Sequence, residues 1–562
     1  MEQAALARIL RGVEKPARYI GGEWNSIAKE HADVRFALCF PDVYEIGMSH
    51  LGSKILYHVL NSRAEIACER AYAPWPDMEQ ALRQAGVPLY SLETKRPLAS
   101  FDIVGFSLLY EMCYTNILAM LDLAGIPLRA AERGADAPLI VCGGPCACNP
   151  EPLAPFMDAV MIGDGEEMIV ELVEAYRASR DAGEDRRQLL HRLAAIEGVY
   201  VPSFYAPSPG GAVPVESGAP ARVARRVLRD LEHAPYIGEP VVPYLNVVHD
   251  RACVEVMRGC TRGCRFCQAG YIYRPVRERT RETLLSQARA LVDCTGYDEI
   301  SLLSLSTGDY SDIHRLVPEI IDGMAAQRVS VSLPSLRIDS FLKEDLEKMQ
   351  SIRKAGLTPT ETDEDILGIA ALCRQVSRLF YELPRERRGK GLRLSASAST
   401  FVPKPFTPFQ WTPQVPLDEI RRRQQLLRAA LKGVRGVEFH CHLSQLSVLE
   451  AAFSRGDRRL AGVLETAYRL GCRFDSWSEH FREHAWREAF AAHGLTMEAY
   501  AQWAPSPGDP LPWSHIDMLV TEQYLAREYG RAMEGRTTRD CRVGCNGCFG
   551  GRYADICHLS KG

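Results

Sequence analysis

The run Arg258-Gly-Cys-Thr-Arg-Gly-Cys-Arg-Phe-Cys267 decides how this chain is read. Its Cys-x3-Cys-x2-Cys spacing puts three thiols, Cys260, Cys264 and Cys267, into one tight turn. A cubane iron–sulfur cluster has one more iron than this loop has thiolates, which leaves an iron open to another ligand. An open coordination site is what a catalytic metal centre needs and a structural one avoids. The competing reading is a zinc knuckle. Zinc wants a full tetrahedral set, usually as two separated pairs, and nothing beside this loop supplies an evident further ligand.

Working outward, the loop follows a predicted strand at 253–257 and leads to a helix after Thr280, a suitable N-cap. Further strands are predicted at 299–305 and 329–333, with helices after each. This strand–loop–helix repeat implies a partial (β/α) barrel with the cysteine loop at the carboxyl ends of its strands, where barrel active sites lie. Ser304-Leu-Ser-Thr-Gly308-Asp309 ends the second strand, and Ser335-Leu-Arg337-Ile-Asp339 ends the third.

Upstream, residues 1–30 read as a short amphipathic helix and a Gly-Gly turn. Between about 33 and 180, apolar runs at 34–40, 102–108, 139–142 and 159–162 alternate with helical patterns at 48–60, 113–123 and 166–177. The alternation predicts a doubly wound α/β domain with its ligand crevice at the carboxyl ends of the strands. The loops there are Asp42-Val-Tyr-Glu-Ile-Gly47, Ser107-Leu-Leu109 and Gly143-Gly144. Taken alone they also fit a generic flavodoxin-like domain with glycine-rich loops.

The cysteine spacing, with Phe266 just before the third cysteine, resembles the cluster loop of the radical S-adenosylmethionine (SAM) superfamily. That resemblance implies a 4Fe-4S cluster whose open iron chelates SAM. Reductive cleavage then yields methionine and a 5′-deoxyadenosyl radical, which abstracts hydrogen from an unreactive carbon. It further implies that Phe266 packs near the adenine, that Ser306, Gly308 and Asp309 meet the SAM amino group, and that Arg337 meets its carboxylate or ribose. The N-terminal loops resemble the cobalamin-binding pattern Asp-x-His-x-x-Gly, Ser-x-Leu, Gly-Gly, through Asp42, Gly47, Ser107, Gly143 and Gly144. Tyr44 stands where the cobalt-ligating histidine would be, so cobalamin would bind without a histidine from this loop. Arg274-Pro-Val-Arg-Glu-Arg279, Phe401-Val-Pro-Lys-Pro405 and Ser454-Arg-Gly-Asp-Arg-Arg459 extend the likeness to a group of radical SAM proteins with an N-terminal cobalamin-type domain. What the resemblance implies is methyl transfer through cobalamin, or else thiolation or other modification of RNA or protein without it. It also implies a flavodoxin- or ferredoxin-type reductant protein.

One segment departs from that group. Between residues 333 and 392 two helices are predicted, at 340–354 and 363–382, with no strand between them. Gly356-Leu-Thr358 runs straight into Pro359-Thr-Glu-Thr362, as if a block had dropped out between similar tripeptides. About five barrel strands are therefore expected, with exposed sheet edges at the gap. A barrel so shortened suits a non-catalytic iron–sulfur binding protein as an alternative.

Near the C-terminus, Cys541, Cys545, Cys548 and Cys557 supply a full set of thiols, which suits a second 4Fe-4S cluster or an all-thiolate zinc site. His440, Cys441 and His442 form a smaller set that reads as structural. The remaining cysteines, such as Cys39, Cys113 and Cys373, lie singly in apolar stretches, as buried thiols do. Net charge is 67 − 71 = −4, so no overall field draws the chain to nucleic acid or membrane. The absence of a signal pattern and of a long apolar run predicts a cytoplasmic protein without a membrane partner. The expected organisation is an extension (1–30), a cobalamin-binding-type domain (31–180), a connector (181–248), a partial radical SAM barrel (249–445) and a mainly helical, cysteine-containing C-terminal region (446–562).

Overall fold

The computed structural model describes residues 3–333, 351–357, 360–388, 391–550 and 557. The N-terminal sheet has six strands: β1 Val34–Phe40, β2 Ile66–Tyr72, β3 Ile103–Ser107, β4 Leu139–Gly143, β5 Ala159–Met161 and β6 Val199–Tyr200, in the spatial order β2-β1-β3-β4-β5-β6. All neighbours run parallel except β5 and β6. Nearly continuous apolar runs such as Leu139-Ile-Val-Cys142 form the central strands because helices cover both faces. Those helices include Leu51–Asn61, Tyr114–Leu123 and Met168–Asp181. Gly105 sits in mid-strand because the Phe36 ring occupies the space above it; a Cβ there would lie 2.6 Å from the ring. The doubly wound expectation holds, with strand β2 and the antiparallel β6 added to it.

The second module carries parallel strands in two groups of three. Ala252–Glu255, Glu299–Leu303 and Ser330–Ser332 pair in that order, as do Ser351–Leu357, Leu394–Thr400 and Val437–Cys441. Each group has its own core, Val254, Leu284, Leu302 and Leu316 in the first and Ile366, Cys373, Ala396 and Leu427 in the second. Thr280 caps the helix Arg281–Thr295, accepting from Thr283 N–H at 3.3 Å. Thr362 opens Asp363–Glu382 with a reciprocal Thr362/Asp365 capping box.

Here the sequence reading needs correction. A strand, Ser351–Leu357, stands where the end of a helix was expected, and it pairs in parallel with Leu394–Thr400 across the helix Asp363–Glu382. The described barrel strands therefore number six, with one strand, Ser351–Leu357, before the short junction and the helix Asp363–Glu382 and its parallel partner Leu394–Thr400 after it. Ser-Ile-Arg-Lys-Ala-Gly-Leu has neither alternation nor a purely apolar run, so its period gives no strand signal. The remainder of that expected helix and the third-strand end bearing Arg337 lie outside the described residues.

The C-terminal region is mainly helical, through Ser444–Ser454, Leu460–Arg469, Glu483–Ala492 and Glu522–Met533. It packs on the N-terminal sheet module and shares its core. Phe453 meets Tyr114 edge-on at 5.9 Å, and Asn149 Nδ2 donates to the carbonyls of Ser454 (3.0 Å) and Gly456 (2.9 Å). No helix among the described residues is long and apolar enough to cross a membrane.

Candidate functional site

Two short strands, Met257–Arg258 and Arg277–Glu278, pair antiparallel and close residues 259–276 into a loop at the end of the first barrel strand. Gly259 turns the chain into it with φ +90°, and a Cβ there would lie 2.8 Å from the Pro275 carbonyl oxygen and 2.9 Å from that of Tyr273. Inside the loop the buried Arg274 guanidinium donates to the carbonyls of Gly270 (2.8 Å) and Arg262 (3.0 Å) and lies against the rings of Tyr271 and Tyr524. Cys264 C=O accepts from Cys267 N–H at 3.1 Å, and Cys260 Sγ accepts from Arg262 N–H at 3.4 Å. Cys260, Cys264 and Cys267 are each half-buried, and burial pushes the Cys260 thiol up to about 11. Phe266 is 48% exposed at the loop's outer edge.

The donor set fits a cubane. The loop offers thiols with no carboxylate among them, and thiolates are the soft donors that iron–sulfur clusters take.

At the end of the second barrel strand, Ser306 Oγ donates to Asp309 Oδ2 at 2.6 Å. Asp309 also accepts from Arg262 Nε and Nη2 (2.9 and 2.6 Å) and from Arg542 Nη2 (2.7 Å). Burial alone would raise the Asp309 carboxyl, but the bonds from Arg262 and Ser306 and the Arg542 charge outweigh it and hold it at about 2. Ser306 and Asp309 are buried and Gly308 half-buried, and the Asp309 carboxylate ties this strand end to the cysteine loop.

A cavity of about 410 Å³ lies between the carboxyl ends of the two sheets. Ser107, Gly143 and Gly144 line it from the N-terminal module, and Glu255, Gly259 and Ser304 from the barrel. Gly144 has φ +124°, and a Cβ there would stand 2.6 Å from the Leu108 carbonyl oxygen, so glycine is required where this wall folds back on β3. Asp42 and Gly47 lie outside the cavity lining. Asp42 is buried and accepts from Val43 N–H (2.7 Å), Trp477 Nε1 (3.2 Å) and the Tyr110 hydroxyl; burial raises its carboxyl against those bonds. Gly47 makes room for the Tyr72 ring, and Tyr44 donates to Glu23 at 3.0 Å.

Sequence reasoning missed the acids that join the modules. Asp164 and Glu166, in the loop after β5, hold Arg258 at 3.1 and 2.6 Å, and Asp164 also holds Arg277 at 2.6 Å. Burial alone would raise Asp164, but Arg258 and Arg277 outweigh it and keep the carboxyl well below the ordinary range. The signal was available in Gly163-Asp-Gly-Glu-Glu167 at a strand end.

Cys541 and Cys548 prove to be neighbours of the first loop. Cys541 N–H donates to the Thr261 carbonyl at 3.0 Å, Thr261 Oγ1 donates to Asp540 at 3.1 Å, and Arg265 reaches Glu528 at 3.2 Å. Cys548 is buried beside Arg274, Cys545 is exposed, and Cys541 and Cys557 are half-buried. His440, by contrast, points from an edge strand at 64% exposure.

The fold and the loop together define an α/β protein with a doubly wound module facing a (β/α) barrel, whose mouth carries a thiol loop. Residues 52–202 match the family model for the N-terminal region of radical SAM proteins, and residues 254–375 match that of the radical SAM superfamily. The chain is a radical SAM protein with that superfamily's N-terminal domain, and hence an enzyme of a class that works with a 4Fe-4S cluster and SAM. It is 25% identical over 475 residues to an uncharacterized protein of Methanocaldococcus jannaschii, covering 76% of this chain and 90% of that one. It is 34% identical over 62 residues to a tRNA-2-methylthio-N(6)-dimethylallyladenosine synthase of Solibacter usitatus, 11% of this chain and 14% of that one. Among solved structures it resembles the radical SAM methyltransferase TsrM of Kitasatospora setae, with cobalamin and a [4Fe-4S] cluster bound. That likeness has TM-score 0.42 and 15% identity over 73% of this chain and 75% of that one, too loose to carry a functional reading.

Proposed function

We propose that this chain binds a 4Fe-4S cluster through Cys260, Cys264 and Cys267, binds SAM beside it, and transfers a methyl group to an unreactive carbon with cobalamin held in the interdomain cavity. The cluster, when bound, supplies the electron that cleaves SAM to a 5′-deoxyadenosyl radical. The observation that carries this reading is the position of the thiol loop: Gly259, the residue before Cys260, forms part of the wall of the same cavity as Ser107, Gly143 and Gly144. Gly259 and Arg274 fix the loop's path, so the thiols are presented from a set backbone. The walls include the apolar side chains of Leu38, Val141 and Met161, which would limit the water around a radical formed there. Gly143 and Gly144 stand in the wall that such a cofactor would face, and the loop bearing Tyr44 offers it no histidine.

A second reading is thiolation of RNA or protein without cobalamin. It is favoured by the contact between the C-terminal cysteine segment and the first loop, where a second 4Fe-4S cluster on Cys541, Cys545, Cys548 and Cys557 would be held close to the first.

Anaerobically reconstituted protein, reduced with dithionite in the presence of SAM, is expected to form 5′-deoxyadenosine and to retain hydroxocobalamin through gel filtration. Deoxyadenosine without retained corrin favours the second reading. Iron loading without any SAM cleavage contradicts both.

A further inference from the structure

Arg262 lies midway between Cys260 and Cys264, and its guanidinium leaves the loop to meet two carboxylates. It reaches Asp309 at 2.6 Å on the second barrel strand end and Asp540 at 2.9 Å on the C-terminal segment. Arg542 closes the ring, binding the same Asp309 at 2.7 Å and Asp540 at 3.0 Å. Two guanidiniums and two carboxylates thus alternate around a square with no net charge. Asp309 is 2% exposed, and these partners hold its charge in place together with Ser306. Two further contacts run beside the square. Cys541 N–H donates to the Thr261 carbonyl, and Gly263 passes so near Thr538 that a Cβ would lie 2.9 Å from its methyl group.

We infer that this square is a latch by which the C-terminal segment positions the cluster loop, so that Arg542 and Asp540 are positioning residues for a metal centre held by cysteines they do not belong to. The inference rests on the cluster reading of Cys260, Cys264 and Cys267. A partly buried ion network adds little net stability, because desolvation offsets most of its attraction. What it does supply is fixed geometry, and here the geometry it fixes is that of the residue between two thiols. The latch also sets the local charge. Removing Arg542 leaves a net negative charge at the loop, which disfavours adding an electron to a centre bound there.

The test uses the full-length, anaerobically reconstituted protein and follows the cluster whose EPR signal changes when SAM is added. Arg542→Ala, which loses its bonds to both Asp309 and Asp540, is expected to release its iron to a chelator at least roughly tenfold faster. Its reduction potential is expected to fall. Arg542→Lys, which keeps the charge without the fork, is expected to restore the potential but not the full retention of iron. Asp540→Asn, nearly the same shape, guards against a folding failure and is expected to speed iron release while raising the potential. Wild-type release rates and potentials in both Arg542→Ala and Asp540→Asn, with unchanged thermal unfolding, overturn the latch. If the wild-type protein shows no SAM-responsive iron signal, the cluster reading itself fails and the latch falls with it.

Discussion

At residue 259 the backbone has φ +90°, and the Tyr273 and Pro275 carbonyl oxygens approach within 3 Å of where a side chain would begin. An alanine there faces both strain and a clash. Gly259→Ala is therefore expected to cost about 1–3 kcal/mol and to lower iron loading, with the loop rather than the cores giving way. Urea unfolding and iron content of the purified variant check this, and wild-type iron loading would contradict it. Individual residues were legible to different degrees. Three thiols at fixed spacing announce their chemistry because ligand chemistry is local. The place of Asp309 at a barrel strand end is legible in the sequence, whereas its partners Arg262 and Arg542 come from 47 and 233 residues away. No local pattern encodes such pairings.

Among the elements, β2 was missed for an identifiable reason. Ile-Ala-Cys-Glu-Arg-Ala-Tyr carries Glu69 and Arg70 in mid-strand, which reads as a surface segment. Both are buried and paired: Glu69 accepts from the hydroxyls of Ser91 (2.6 Å) and Thr94 (2.7 Å), and Arg70 holds Glu93 (2.6 Å) and Glu23 (2.8 Å). The helices at Leu51–Asn61 and Asp363–Glu382 were legible because their period and caps are intact. A pH prediction belongs at this scale. Asp475 joins the loop before Glu483–Ala492 to Tyr114–Leu123, accepting from Thr115 and from Trp486 at 2.8 Å each. Burial pushes its carboxyl up to about 6. The folded chain thus binds this proton more tightly than the unfolded chain does, and the contribution of Asp475 to stability falls as pH rises from about 4 to about 6, by up to roughly 3 kcal/mol. Asp475→Asn is expected to flatten that slope in denaturation midpoints taken across this range. An unchanged slope would contradict it.

For the molecule as a whole, the two-module plan was legible because hydrophobic period and strand-end loops are sequence-local. The docking of the C-terminal segment was not. Cys541 and Thr261 meet through a backbone hydrogen bond between residues 280 positions apart. The same holds for the Asp164 contacts to Arg258 and Arg277, which set the barrel mouth against the first sheet and define the cavity between them. The expected loss of barrel strands also changes at this scale, since among the described residues a strand precedes the junction and pairs in parallel with the strand that follows the next helix.

The most direct measurement is metal analysis with EPR on protein prepared without oxygen, comparing the wild type with a variant in which Cys260, Cys264 and Cys267 are all alanine. The account predicts iron in the wild type, with a reduced-cluster signal that SAM perturbs, and loss of that signal with its share of iron in the variant. Zinc in place of iron, or a SAM-responsive signal that survives removal of the three thiols, would contradict it.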